Sequence, residues 1–398
     1  AATAGNAEVS VAFTAPSDVG DDPITLYGAS ATDGTNVIGA TNSASPVTIT
    51  GLTNGTSYTA RVWAINDYGN GPLSAATSSF TPALNRALFA GGLAGGSYSN
   101  VIDYVTIGTT GNATDFGNLT TSRDALAAVS SDSRGVFAGG DTGTKSNVID
   151  YVTIASTGNA TDFGDLSEAT QFSAGAGNDV RGIIHLGDTT SGNDATLEYI
   201  TIASTGNSTD FGDRTVNDIA YSAGVASPTR AVFMAGFQST YSNIIDYITI
   251  ASAGNATDFG DTTVAKYYAS GLSSSTRGVI GGGRVSGNAL TNVIEYITIA
   301  STGNATDFGD LLAARANTGA TSSSTRGLFG GGNTGSVDNV IQYITIASTG
   351  NATDFGDLTV SRRDLTACSS EHGGIDATLV QAFPPAAMGL MGGGAWWT

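Results

Sequence analysis

The chain has 398 residues, of which only 12% are charged, and its net charge is −19. That balance argues against a phosphate-backbone partner, which calls for clustered Lys and Arg; the only lysines are Lys145 and Lys266, and the arginines are scattered. The single cysteine, Cys368, excludes an internal disulfide and a four-cysteine zinc site, and no run of 18 apolar residues supplies a membrane-spanning helix.

Gly, Ser, Thr and Ala dominate, with spaced Val, Ile, Tyr and Phe, while Glu/Lys-rich stretches are absent. Short strands and tight turns follow from that mixture, so an all-β protein is expected. No basic segment leads into an apolar run at the start, so no signal peptide is visible, and whether residues precede Ala1 stays open. The acidic surface favours solubility and repels anionic membranes.

Residues 1–82 alternate apolar and polar positions between turn clusters, as the half-buried strands of a sandwich do. Val9, Val11 and Phe13 fall on one face, "APSDVGDDP" turns the chain, and "PVTITGLTNGTSYTARVWAINDYGNGPLS" follows. Pro16, Tyr27, the Leu52-to-Tyr58 spacing, Ala64, Asn66, Gly69, Gly71 and Ser74 resemble a fibronectin type III module. The resemblance implies that Tyr58 is a corner tyrosine whose hydroxyl fixes a turn, with Phe13 standing where the family often has Trp. Residues 83–85 would be a linker.

From Arg86 onward the sequence repeats. The Phe of an Asp-Phe-Gly string recurs at 116, 163, 211, 259, 308 and 355, with spacings of 47, 48, 48, 49 and 47 residues, and a Tyr recurs at 104, 151, 199, 247, 296 and 343. Each unit divides into four short strands. One is apolar and ends in glycines ("RGLFGGG"), one alternates around the Tyr, one carries Asp-Phe-Gly, and one is made of small residues. The period, the glycine pairs and the tyrosines resemble the kelch propeller family, over residues 86–371. Phe stands throughout in place of that family's Trp. A basic residue opens the small-residue strand as Arg123, Lys266, Arg315 and Arg362, with Thr170 and Asp218 in the other two units. The resemblance implies six blades, with the last strand completing the first blade.

Several motifs read as architecture rather than chemistry. Asp-Phe-Gly lacks the phosphate loop and catalytic Lys of a kinase. The Asn-Ala-Thr and Asn-Ser-Thr triplets match the glycosylation rule, although Gly-Asn turns explain them. Asp162 and Asp165, with their equivalents, would give calcium only two carboxylates per unit; capping of turns explains them. Copper-oxidase propellers need two histidines at one site, whereas His185 lies in an apolar strand and His372 in the tail. No Gly-x-Ser-x-Gly or Cys-His arrangement is present, so no enzymatic activity, cofactor or metal is expected.

The loops after the glycine strands differ between units, while "STGNAT" and "SSSTRG" barely change. The varied face is expected to carry Tyr98, Lys145, Asp194, Tyr241, Arg284, Arg315 and Arg362 as ligand-binding residues. The apolar tail 372–398 ends in Trp396 and Trp397, expected to dock on the ring or on a neighbouring subunit. Near-identical "TIASTGNATDFGDL" units beside a fibronectin module resemble structural proteins of tailed phages, especially marine ones. The resemblance implies a non-catalytic protein of the virion exterior, serving as fibre, capsid decoration or receptor-binding component. Its partners would be other virion proteins and a host surface glycan or protein, without nucleic acid or membrane insertion, and with a homo-oligomer left open. A secreted or surface-attached bacterial adhesion protein is the alternative, and a carbohydrate-active propeller enzyme the second.

Overall fold

The computed structural model describes residues 2–375 apart from 6, 17–21, 55, 83–84 and 218. Trp396, Trp397, Asp218 and most of the expected linker therefore lie outside the described residues. The described chain is all-β, interrupted by one short 3-10 turn at Ser286–Asn288.

The N-terminal unit is two antiparallel sheets. Ala2–Gly5, Glu8–Val11 and Val47–Thr50 form one; Val37–Asn42, Leu26–Thr32, Thr59–Asn66 and Gly69–Asn70 form the other. Alternation buries Val9, Val11, Ala29, Ala31, Val47 and Ile49 between them. Tyr58 is buried beside this core, and its hydroxyl accepts a hydrogen bond from the Thr53 amide at 3.2 Å. That is the corner expected from the Leu52-to-Tyr58 spacing.

Residues 86–369 form six main sheets built on the four strands of the repeat, the second extended by Asp188–Thr189 and Gly192–Asn193; two short hairpins, Leu93–Ala94 with Ser97–Tyr98 and Arg284–Val285 with Ala289–Leu290, stand apart from them. In the second, Ala127–Ser130, Arg134–Ala138, Ser146–Thr153 and Thr161–Gln171 lie side by side, all antiparallel. In the first sheet the inner strand is Thr366–Ser369, from the far end of the sequence, paired to Arg86–Ala90. The small-residue strands are innermost. They touch one another in order, and Thr366–Ser369 touches both Gly319–Ser322 and Ala127–Ser130. Small side chains are needed there because the strands converge: a Cβ on Gly175 would sit 2.1 Å from the Ala128 carbonyl oxygen of the next inner strand.

Asp-Phe-Gly encodes a β-bulge. Ile102 pairs with Gly117 and Asp103 with Asp115, so Phe116 is the extra residue, and the same slip recurs in the other five sheets. A bulge re-aims its side chain. Phe116 packs between its own sheet and the next, touching Tyr104 edge-on at 6.0 Å and joining Val152 and Ile154. Gly117 has φ +148, and a Cβ there would lie 2.3 Å from the Gly158 carbonyl oxygen of the following unit.

The "TGNAT" turn fits onto that bulge from the neighbouring unit. The Gly158 amide donates to the Phe116 carbonyl (2.8 Å), the Ala160 amide to the Asn118 carbonyl (2.8 Å), and the Asn118 amide to Asn159 Oδ1 (3.1 Å). Equivalent bonds recur around the array. The sixth set joins Gly111, Ala113 and Asn112 of the first unit to Phe355 and Asp357 of the last. An arginine in each sheet adds a further tie. Arg86 stacks on Tyr104 at 4.5 Å and donates to the Ile154 carbonyl of the next unit (3.0 Å); Arg326 likewise stacks on Tyr343 and donates to Ile107 of the first (2.9 Å). The Asn of each triplet is thus more than a turn residue: its side-chain oxygen is an inter-sheet acceptor.

Candidate binding surface at the varied end

Every sheet holds one buried polar residue just before its Tyr: Asp103, Asp150, Glu198, Asp246, Glu295 and Gln342. Four face a buried cation. Arg362 meets Asp103 at 2.7 Å, Arg123 meets Asp150 at 3.0 Å, Arg214 meets Asp246 at 3.0 Å and Lys266 meets Glu295 at 2.7 Å. In the third sheet Thr170 replaces the cation, and Ser167 and Ser208 donate to Glu198 instead. In the fourth, the place two residues before the inner-strand turn holds Ile219 rather than Asp218, and Arg214 reaches in from upstream. In the sixth, Gln342 is neutral, and Arg315 turns to Asp338 at 3.2 Å.

These pairs correct two expected binding residues. Arg315 is 2% exposed and Arg362 is 0% exposed, so neither reaches a ligand on the face. A guanidinium placed there is drawn inward because a buried carboxylate or carbonyl needs its donors. Ten of the thirteen arginines stack between sheets or pair in these interiors, leaving Arg61, Arg284 and Arg363.

The other five expected residues are at least partly exposed, and most of them tie neighbouring loops together. The Tyr98 hydroxyl donates to Asp141 (2.9 Å), which raises its pKa. Lys145 Nζ sits 2.8 Å from Asp188. The Asp194 carboxylate accepts from the amide (3.0 Å) and hydroxyl (2.8 Å) of Thr196, a local cap. The Tyr241 hydroxyl accepts from the Asn288 amide (3.0 Å), and Arg284 donates to the Asn288 carbonyl (3.1 Å). The structure brings together only Tyr241 and Arg284, through Asn288.

Six residues that sequence reasoning passed over gather at this end. Ala125, Phe172, Tyr221, Tyr268, Asn317 and Asp364 each open an inner strand with φ between 52° and 62°. Their backbones form a cycle. Phe172 N–H donates to Ala125, Tyr221 to Phe172, Tyr268 to Tyr221, Asn317 to Tyr268, Asp364 to Asn317 and Ala125 to Asp364. Glycine adopts this conformation without strain, whereas a side chain there costs about 1 kcal/mol. The chain has 55 glycines and places none at these six positions. Strain retained in every unit marks positions where side chains are wanted. The sequence signal was an aromatic interrupting small-residue strands at 172, 221 and 268.

The identities divide the cycle in two. Phe172, Tyr221 and Tyr268 pack together, with ring centroids 4.2 Å (172–221) and 4.7 Å (221–268) apart. Tyr267, Phe237 and Tyr241 extend them outward: Tyr267 lies 4.7 Å from Tyr268, 5.2 Å from Phe237 and 5.3 Å from Tyr241. Opposite, Asn317 donates to Asp364, whose carboxylate also meets Arg363 at 3.3 Å. Beneath lies a cavity of about 130 Å³ lined by all six units. At the other end His372 donates to or accepts from nothing in this cluster; it bonds the Ser130 carbonyl (2.9 Å).

Residues 1–80 match the family model of the fibronectin type III domain. The N-terminal unit is a fibronectin type III domain. No curated protein matches the chain. A larger cavity, about 680 Å³, lies in the fibronectin domain between Phe13, Tyr27, Trp63 and Leu73.

The Ser222 hydroxyl and His185 Nδ1 lie at hydrogen-bond distance, 3.0 Å. Burial first and Arg214 second push the imidazole down to about 3, far below the range of a working general base. Among the described residues no group of three or more His, Cys, Asp or Glu side chains is placed to hold a metal ion.

Asp124 carries a testable pH signature. Burial, then the Asp364 and Asp141 carboxylates, raises its pKa to about 7. Between about 4 and 7 the folded chain therefore holds a proton there that the unfolded chain has lost, so this residue makes stability fall as pH rises. His185 and His372, both lowered by burial, act in the opposite direction below their ordinary value of 6.5. The readout is the difference in urea midpoints between wild type and Asp124→Asn at pH 4 to 8. The wild type should lose stability relative to the variant up to pH 7 and then level off; a difference that grows in the wild type's favour would be the wrong sign.

Proposed function

We propose that the six sheets are the blades of a kelch-like propeller, and that the chain is a non-catalytic surface protein of a tailed-phage virion that adheres through the varied end. The observation that carries the adhesive role is the strained cycle at 125, 172, 221, 268, 317 and 364. There the repeat keeps its backbone and discards its side-chain identity. Scaffold positions such as the Asp-Phe-Gly bulge show the reverse, an unchanged side chain in all six units.

The placement of the connections supports the same polarity. The chain enters the array at Arg86, whose amide donates to Ser370 Oγ (3.1 Å), and leaves it at Ser369–His372. Both points lie at the end with repeated turns, so the varied end carries neither connection. The fibronectin domain then serves as spacer or anchor on the virion side, with other virion proteins as its neighbours. The virion assignment itself rests on the resemblance of the repeated string to tailed-phage structural proteins.

Antibody raised to the chain should decorate intact particles, and purified protein added to host cells should slow phage adsorption in proportion to dose. Particles left undecorated, or a signal peptide and wall anchor in the full gene, would instead make it a bacterial adhesion protein.

A further inference from the structure

Taking the adhesive role above as its premise, we propose that the face formed by Phe172, Tyr221 and Tyr268 is a subsite for an uncharged pyranose ring. The C–H face of a sugar packs on aromatic rings, which present large rigid area at little entropic loss. Its hydroxyls need planar acceptors and donors at the edge, because a buried hydroxyl left unpaired is costly. Both are present. Gln171 Nε2 donates to Asp188 Oδ2 at 2.8 Å on one side, and Asn317 and Asp364 stand on the other. Burial first, then the Asp188 carboxylate and, less, Asp364, raise the pKa of the Tyr221 hydroxyl.

Charge selects the class of sugar. The cations Lys145 and Arg363 are already engaged, by Asp188 at 2.8 Å and by Asp364 at 3.3 Å, so they offer an anionic sugar no free partner. A cationic group finds Asp188 and Asp364 already matched by the same two pairs. A neutral hexose faces neither difficulty. Packing Phe172, Tyr221 and Tyr268 merely to fill space would require apolar bulk but not the strained backbone on which these three, partly exposed, are held.

The test is a glycan array carrying neutral hexose oligosaccharides beside sialylated, sulfated and uronate-containing ones, probed with the full chain. Wild type, Tyr221→Ala, Tyr268→Ala and Tyr268→Leu are compared, and melting temperature reports folding. Tyr268→Leu keeps apolar bulk while removing the ring face, so it separates stacking from packing. The expected result is binding to neutral glycans that weakens at least tenfold in Tyr268→Leu at an unchanged melting temperature. Preference for anionic glycans, or neutral binding unchanged in all three variants, overturns the subsite. If no glycan binds while the purified chain still competes for adsorption, the subsite is also overturned and the adhesive role stands on a protein ligand. Failure of adsorption competition itself removes the premise.

Discussion

Arg362→Ala is expected to destabilise the chain by about 3–5 kcal/mol, because it strands the Asp103 carboxylate in the interior without its cation. Both side chains are fully buried, so water cannot replace the lost partner. The same guanidinium donates to the Gly91 (2.8 Å) and Val101 (2.6 Å) carbonyls, and each would lose that bond as well. Among the described residues, the Thr359 hydroxyl and amide would remain on the carboxylate. The double variant Arg362→Met, Asp103→Leu should recover most of the loss, since an apolar pair of similar volume has no charge to strand. Guanidinium unfolding measures both. A single variant within about 1 kcal/mol of wild type would contradict the buried pair.

Phe308→Ala and Phe355→Ala should each cost about 3–5 kcal/mol, and the two values should agree. Phe308 fills the space between the fifth and sixth sheets against Ile344 and Ile346. Phe355 fills the corresponding space between the sixth sheet and the first, against Val105 and Ile107, residues about 250 positions earlier. On the proposed propeller reading, neither interface is an edge. A Phe355 loss far below that of Phe308 would place an opening between the last sheet and the first.

Much of the scaffold was legible in the sequence because it is written in short-range periodicity. The strand alternation around Tyr104 and its equivalents, the small inner strands and the turns at Gly-Asn follow from local rules that hold within one unit. What a unit does to its neighbour was harder to see. Asn159 looks like a turn residue until the Asn118 amide of the preceding unit is placed against its side chain. Arg86 and Tyr104 recur in every unit as well, yet their stacking depends on a register no single strand reveals.

The site was legible in part. Tyr241 and Arg284 do sit together at the varied end, because loops that differ are free of the packing that fixes the rest. Arg315 and Arg362 were misplaced because the acceptors that bury them stand on neighbouring strands, far away in sequence. Phe172, Tyr221 and Tyr268 were passed over for a different reason. They begin strands otherwise made of small residues, and only the left-handed backbone turns their rings toward one another at the axis.

A crystal structure of the full chain with a bound oligosaccharide from the array puts the division between repeated scaffold and varied site to its most direct test. The sugar is expected over Phe172, Tyr221 and Tyr268, with Asp364 or Asp188 within hydrogen-bond distance of its hydroxyls. A sugar held instead at the Gly-Asn turns, or in the fibronectin domain beside Trp63, would contradict it.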